Sequence, residues 1–327
     1  MMRNKQTKNV LLVAITFGLL CTVATAQIEH PATLQTGSGE ISALVFSPDA
    51  KIIAVGCRAD GGYQLQLWNV SSRTLHRGLA PSNTYSEVNS VAFSSNGKVV
   101  ASGGDTICLW DVVTGRLIRK LAGRGIVTAL AFSPEGRYLV CGRINGRVEL
   151  WDALHGRLKA QLGKLVTMPY YFGFSSKGDS LVGISGTGAK GYEITEWDIE
   201  KGKIRRRLTG QPLNAFVHSF ALSTDRKVLV AARDNEVRLW HFEGAKATQH
   251  TLKSHTSWVT CVALSTDGST IASAGADKAI KLWDTQTCQV IQTEQEQRFI
   301  SKLVFSPNGM LLATGGQNGG VNLRRLK

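Results

Sequence analysis

Three groups of residues have the types and order that chemistry could use. Ser273, His255 and Asp277 supply the hydroxyl, imidazole and carboxylate of a nucleophile, a base and an orienting acid. Gly186-Thr187-Gly188-Ala189-Lys190-Gly191 spells G-x-G-x-x-G, which holds a pyrophosphate where it leaves a strand and opens a helix. Ser95-Asn96-Gly97-Lys98 matches S-x-x-K, a serine-acylation pattern. The surrounding sequence argues against the last two. The glycine run lies between two β-patterned stretches, the second being Glu193-Ile194-Thr195-Glu196-Trp197. It therefore reads as a long turn rather than the start of a helix. The S-x-x-K serine falls in an Asn-Gly turn after an apolar strand. The histidines (His30, His76, His155, His218, His241, His250 and His255) make no metal-spaced pair. No G-x-S-x-G, H-E-x-x-H or C-x-x-C occurs. No metal, cofactor or catalytic residue is expected, and the chain is not expected to be an enzyme.

The elements that position these residues repeat. Trp68, Trp110, Trp151, Trp197, Trp240 and Trp283 follow one another at gaps of 41 to 46 residues, and Asp111, Asp152, Asp198 and Asp284 follow four of them. A fixed stride of this size marks a repeat array. Each unit opens with an apolar, β-branched run ending in serine, as in Ile41-Ser42-Ala43-Leu44-Val45-Phe46-Ser47; the other runs end at Ser94, Ser133, Ser175, Ser223, Ser265 and Ser306. A Pro, Asp, Asn or Gly turn follows, then a second strand, a third ending at the Trp, and a more polar fourth. Four short strands per unit without helical periodicity describe a propeller blade. Seven first strands predict seven blades. The apolar first strand should be innermost and buried on both faces. The seventh unit carries Arg324 in the Trp position and has no fourth strand of its own. A spare strand at about Ala32 to Thr36 is expected to complete it and close the ring.

In these features the chain resembles the WD-repeat β-propeller family. The sixth unit matches it most fully, through Ser254-His255, Ser273, Asp277 and Trp283-Asp284. The resemblance implies a hydrogen-bonded chain from Trp283 through Ser273 and His255 to Asp277. Ser273 would then be buried beside Trp283 and closed to substrate. The other units are degenerate: Cys141 and Asn145 stand at the Ser and Asp positions of the third, Val230 at the Ser position of the fifth, and Thr314 and Asn318 in the seventh. Most blades are therefore expected to be held by apolar packing.

Residues 1–26 stand apart. Arg3, Lys5 and Lys8 precede an apolar run from Val10 to Leu20, and Ala24-Thr25-Ala26 ends the segment. This is the pattern of a secretory leader cut after Ala26. The alternative is an uncleaved membrane anchor, at the short limit for a span. Residues 27–327 read as one propeller domain, exported to the periplasm or secreted. Removing the leader's three positive charges takes the net charge from +14 to +11, which favours acidic partners. Cys57, Cys108, Cys141, Cys261 and Cys288 remain, an odd and scattered set that does not make a disulfide framework.

The residue just before each first strand carries the functional signal. These residues are Glu40, Glu87, Ile126, Met168, Phe216, Trp258 and Phe299. The resemblance places them on one face beside the central channel, with Arg233 near. They form either an apolar plug or a crescent that grips a partner segment, Glu40 and Glu87 touching its other side. The expected function is a non-catalytic, monomeric scaffold for a protein or peptide, with no nucleic acid partner. One alternative is an enzyme or small-ligand propeller using the channel. Another is a polyanion or cell-envelope binder working through the basic fourth strands, Arg116, Arg119 and Lys120 in one unit and Lys203, Arg205, Arg206 and Arg207 in another. Charged outer strands also simply discourage edge-to-edge pairing.

Overall fold

The computed structural model describes residues 32–37, 39–58, 64–80, 87–187, 191–209, 217–243, 246–317 and 319–326. Residues 1–31, Phe216, Asn318 and residues 188–190 lie outside them. Among the described residues the backbone forms 28 strands in seven four-stranded antiparallel sheets, and no helix long and apolar enough to cross a membrane. The first blade runs Glu40–Phe46, Ile52–Arg58, Leu65–Asn69 and Leu75–Leu79. Each blade's innermost strand contacts that of the next, and the seventh contacts the first. The chain is an all-β, seven-bladed propeller.

The serine that ends each innermost strand has the same task in every blade. Its hydroxyl accepts the backbone N–H five residues on, from Ile52, Val99, Tyr138, Ser180, Val228, Thr270 and Leu311 at 2.9–3.1 Å. In six blades it also donates to a turn Asp or Asn, as Ser47 does to Asp49 at 2.6 Å. A buried hydroxyl saturated in this way fixes the turn between the first two strands. The third residue after the serine has positive φ. It is glycine in five blades, and Ala50 and Arg226 in the other two.

Ring closure follows the expectation. Ala32–Leu34 pairs antiparallel with Val321–Arg325 as the outer strand of the last blade. Thr33 Oγ1 donates to Asn322 at 2.7 Å, and Gly320 N donates to Thr36 Oγ1 at 2.9 Å.

The fourth blade departs from the expected loop. Its second and third strands, Ser180–Thr187 and Gly191–Asp198, pair out to Thr187 opposite Gly191. Gly186 and Gly191 of the G-x-G-x-x-G run therefore sit in the paired strands of a lengthened hairpin, and residues 188–190 between them lie outside the described residues.

The innermost strands are not buried on both faces as predicted. Six carry a bulge near their start, as between Ile41 and Ala43. The bulged residues are Ser42, Thr128, Tyr170, His218, Thr260 and Ser301, and Asn89 holds the matching place in the second blade. Several of these side chains tie blades together. Ser42 Oγ donates to Val88 O at 2.6 Å, Thr260 Oγ1 to Ile300 O at 2.6 Å, and Ser301 Oγ to Ile41 O at 2.9 Å across the closure.

The degenerate blades keep a polar anchor at the Trp slot, beyond the apolar packing expected of them. Trp68 N–H donates to Gln66 at 2.8 Å, Trp110 to Ser102 at 3.0 Å, and Trp197 to Leu162 O at 2.8 Å. In the third blade Trp151 donates to Glu149 at 3.2 Å. That carboxylate is buried against Arg143, whose Nε and Nη2 lie 3.0 and 2.9 Å from it. In the seventh, Arg324 fills the slot at 2% exposure. It donates to Thr314 at 2.7 Å and pairs with Glu294 at 3.2 Å and with Glu296.

Removing one member of a buried ion pair costs about 3–5 kcal/mol, because a charge is left uncompensated. Arg143→Met should lose that much in urea unfolding. Arg143→Met with Glu149→Gln should lose less, since the neutral amide still accepts the Trp151 N–H.

Candidate interaction surface

The channel mouth is built from the starts of the innermost strands. A cavity of about 540 Å³ opens there, and Glu40, Glu87, Ile126 and Met168 line it together. Four of the eight predicted partner-binding residues therefore share one concave surface. Trp258 stands beside it, 64% exposed. Its ring stacks on His218, with centroids 6.3 Å apart and planes at 28°. His218 itself lines the cavity, so the stack carries the indole onto the rim.

The rest of the predicted crescent is divided. Phe299 is half-buried and lines a different cavity of about 1000 Å³, beside Arg298, Gln317 and the Arg324–Glu296 pair. Arg233 sits at the end of its strand, opposite Val217 on one side and Glu236 on the other, and does not line the channel cavity. Phe216 lies outside the described residues. Arg143, near this face by sequence, is 1% exposed and turned inward to Glu149 and to Gly125 O, 2.6 Å away.

The sequence reading missed the polar inner wall. Ser42, Asn89, Thr128, Tyr170, His218 and Lys302 line the cavity with the apolar residues. For Ser42, Thr128, Tyr170 and His218 the bulge hid them, because it moves a residue out of strict alternation. The available signal was a polar or aromatic residue five places before each strand-ending serine. His218 and Lys302 add basic side chains to a cavity whose acids are Glu40 and Glu87. Burial pushes the His218 pKa below the ordinary histidine value, with the Asp234 carboxylate opposing.

The chain in the sixth blade is formed as expected. Trp283 Nε1 donates to Ser273 Oγ at 2.8 Å, Ser273 Oγ lies 2.8 Å from His255 Nε2, and His255 Nδ1 lies 2.9 Å from Asp277. Ser273 is fully buried, so no substrate reaches this hydroxyl. Burial lowers the His255 pKa, with Asp277 pulling the other way. For Asp277, burial raises the pKa, but the Thr256 and Ala279 amides and His255 outweigh it and the net shift is downward. No group of three or more His, Cys, Asp or Glu side chains that could hold a metal occurs among the described residues. Cys57, Cys141 and Cys261 are buried thiols whose pKa values burial pushes up to about 11, 12 and 11. Such thiols are protonated at neutral pH and inert as nucleophiles.

A family model for the WD domain, G-beta repeat, matches residues 77–111, 115–152, 202–241, 246–284 and 286–323. Periodic tryptophan protein 2 of Arabidopsis thaliana is 28% identical over 267 residues, covering 80% of this chain and 29% of the relative. Small ribosomal subunit protein RACK1y of Oryza sativa subsp. japonica is 34% identical over 119 residues, covering 35% and 34%. Transducin beta-like protein 3 of Rattus norvegicus is 28% identical over 225 residues, covering 67% and 27%. The chain spans about a third or less of the length of each of these relatives.

Two outcomes follow from the titrating groups. The unfolded His255 takes up a proton near pH 6.5, which the folded one resists. Stability should therefore be constant above about pH 6.5 and fall as pH drops below it. His255→Gln should reduce that fall in chemical unfolding measured across pH, the remainder coming from His218, whose pKa burial also lowers. Among the five cysteines from Cys57 onward, a thiol reagent applied to the folded protein should modify only the half-exposed Cys288 at a measurable rate, as peptide mapping would read.

Proposed function

The chain belongs to the WD-repeat family, and we propose that it is a non-catalytic scaffold that holds a protein or peptide segment at the channel mouth. The observation that carries this is the exposed Trp258 indole, stacked on His218 at the rim of a cavity that also presents Ile126 and Met168. Large aromatic groups beside a concave apolar surface are the usual anchors of protein interfaces. Rigid blades lower the ordering cost of binding. Glu40 and Glu87 on the same wall suit a segment that combines bulky apolar and basic side chains. Residues 1–26 act as a secretory leader, and the mature ring, carrying a net charge of +11 once the leader's three cations are removed from +14, works outside the cytoplasm.

A small-ligand site in the channel is the second reading, favoured by the polar groups on the cavity wall. Against it, the Ser42, Thr128 and Ser301 hydroxyls are committed to backbone carbonyls. The basic outer strands support a polyanion reading less well. Arg205 is paired with Asp198 at 3.0 Å and Arg207 with Glu193 at 2.9 Å.

Peptides selected on the folded ring from a displayed library provide the test. Trp258→Ala should weaken the selected peptides by about 2 kcal/mol or more, roughly thirtyfold, the loss expected of a hot spot. The melting temperature should hardly move, because the side chain is mostly in water. Binding should persist at high salt. Unchanged binding in the variant would exclude Trp258 as an anchor, and steep salt dependence would move the function to the basic strands.

A further inference from the structure

Between blades four and five the side of the ring opens into a slot of about 240 Å³. Its blade-four wall follows from the strand register. Val182, Glu196 and Arg206 stand opposite one another across three strands, and Ile184, Ile194 and Leu208 do the same two residues along. Positions two apart share a face, so both rows look toward blade five. Leu222 and Phe242 of that blade complete an apolar floor. The outer part of the floor is not covered by protein, with Leu208 38% exposed and Ile194 and Phe242 half-buried, while Val182 and Ile184 are buried beneath it.

The rim is cationic. Arg206, Arg226 and Lys227 line it with Glu196 as the one acid among the described lining residues. Arg226 is already engaged. It donates to Gly173 O at 3.3 Å, to Ser180 O at 3.2 Å and to Ser180 Oγ at 2.9 Å, and lies 3.5 Å from Glu196. It does so from a φ of 62°, at the turn position where five other blades have glycine. A bulky side chain is uncommon in that backbone region, so the clamp across the two blades compensates a local strain. Arg206, 56% exposed and 4.0 Å from the shared Glu196, and Lys227 remain at the mouth. Asp225 beside Lys227 is taken up by the Ser223 hydroxyl and the Lys227 amide.

We propose that this slot binds a small anionic amphiphile. Arg206 and Lys227 hold its carboxylate, as arginine does in paired hydrogen bonds, and a short alkyl tail lies along Ile194, Leu208 and Phe242. The volume of about 240 Å³ sits just under the roughly 300–1,000 Å³ of sites for drug-sized ligands, which sets the tail as short. The site is separate from the channel mouth and does not depend on the reading given to it.

Calorimetric titration of the full chain with octanoate, 1-octanol and octylamine, below micelle-forming concentrations, tests this. Octanoate should bind at least tenfold tighter than octanol, and octylamine should not bind. Lengthening hexanoate by two methylenes to octanoate should tighten binding about tenfold. Arg206→Glu with Lys227→Glu should weaken octanoate at least tenfold, and so should Leu208→Glu alone, while Trp258→Ala should leave it unchanged. No octanoate binding at millimolar concentration, no dependence on chain length, or equal affinity for octanol would overturn the proposal. So would an acetylated Glu-Leu-Glu peptide that binds the slot when octanoate does not.

Discussion

No blade of this ring can bury both of its own faces, so each is stable only between two neighbours. A linear stack would leave two apolar faces in water. Closure removes both, and the structure concentrates specific contacts there. Ile41 of the first blade is 1% exposed against the seventh. Its side chain approaches Gly315 so closely that a Cβ on that glycine would sit 2.8 Å from Ile41 Cγ2. Ser301 ties its hydroxyl to Ile41 O at the same seam. A three-residue strand from the far end of the sequence finishes the last blade. The seam is therefore held by shape, by a side-chain bond and by strand pairing, none of which is local in sequence. Because closure must wait for both ends of the chain, the contacts that secure it are the ones with the highest loop-closure cost in the fold.

Within that frame the blades solve one recurrent problem, a buried indole N–H that must find an acceptor. The sixth blade uses a serine on the neighbouring strand, backed by His255 and Asp277. The first and third use the residue two places before the Trp, Gln66 and Glu149, which the two-residue strand period puts on the same face. Glu149 then needs a buried cation, and Arg143 supplies it. The seventh inverts the arrangement. A guanidinium stands where the indole would, donates to the hydroxyl at the Ser position, and draws Glu294 from the outer strand of the blade before and Glu296 from just past that strand's end. One steric slot thus accepts either an aromatic with one donor or an arginine with several, provided that acceptors follow.

The sequence made the period legible because the residues that keep it are local. The Trp, the strand-ending serine and the turn residues all lie within one unit. The closing strand was legible too, since a unit without a fourth strand requires one from elsewhere. The Glu149–Arg143 pair was less visible, because its logic depends on the register between two strands. The bulges were hidden for a related reason. Ser42, Thr128 and His218 sit in runs that read as continuous apolar strands, and one extra residue in the ladder turns them to the channel. At the candidate surface, alignment on the serine brought Glu40, Glu87, Ile126 and Met168 to one wall. It did not foresee that Phe299 would turn to the neighbouring cleft, since an aligned position fixes where a backbone starts and leaves the rotamer to local packing.

Exposure alone does not single out Trp258. Leu154 and Val113 are as exposed, at 71% and 65%, and isolated apolar side chains are normal on protein surfaces. Those two stand in surface turns between the third and fourth strands of their blades. Trp258 differs in three physical respects. It leads into an innermost strand whose backbone is fixed by the ring. Its ring stacks on His218, which restricts the orientations left to be ordered on binding. And the stack continues into a concave wall with apolar, acidic and basic groups already in place. An aromatic that is at once exposed, stacked and contiguous with a cavity presents a large contact area with little left to order, and that combination is what supports the proposal that the channel mouth receives a partner.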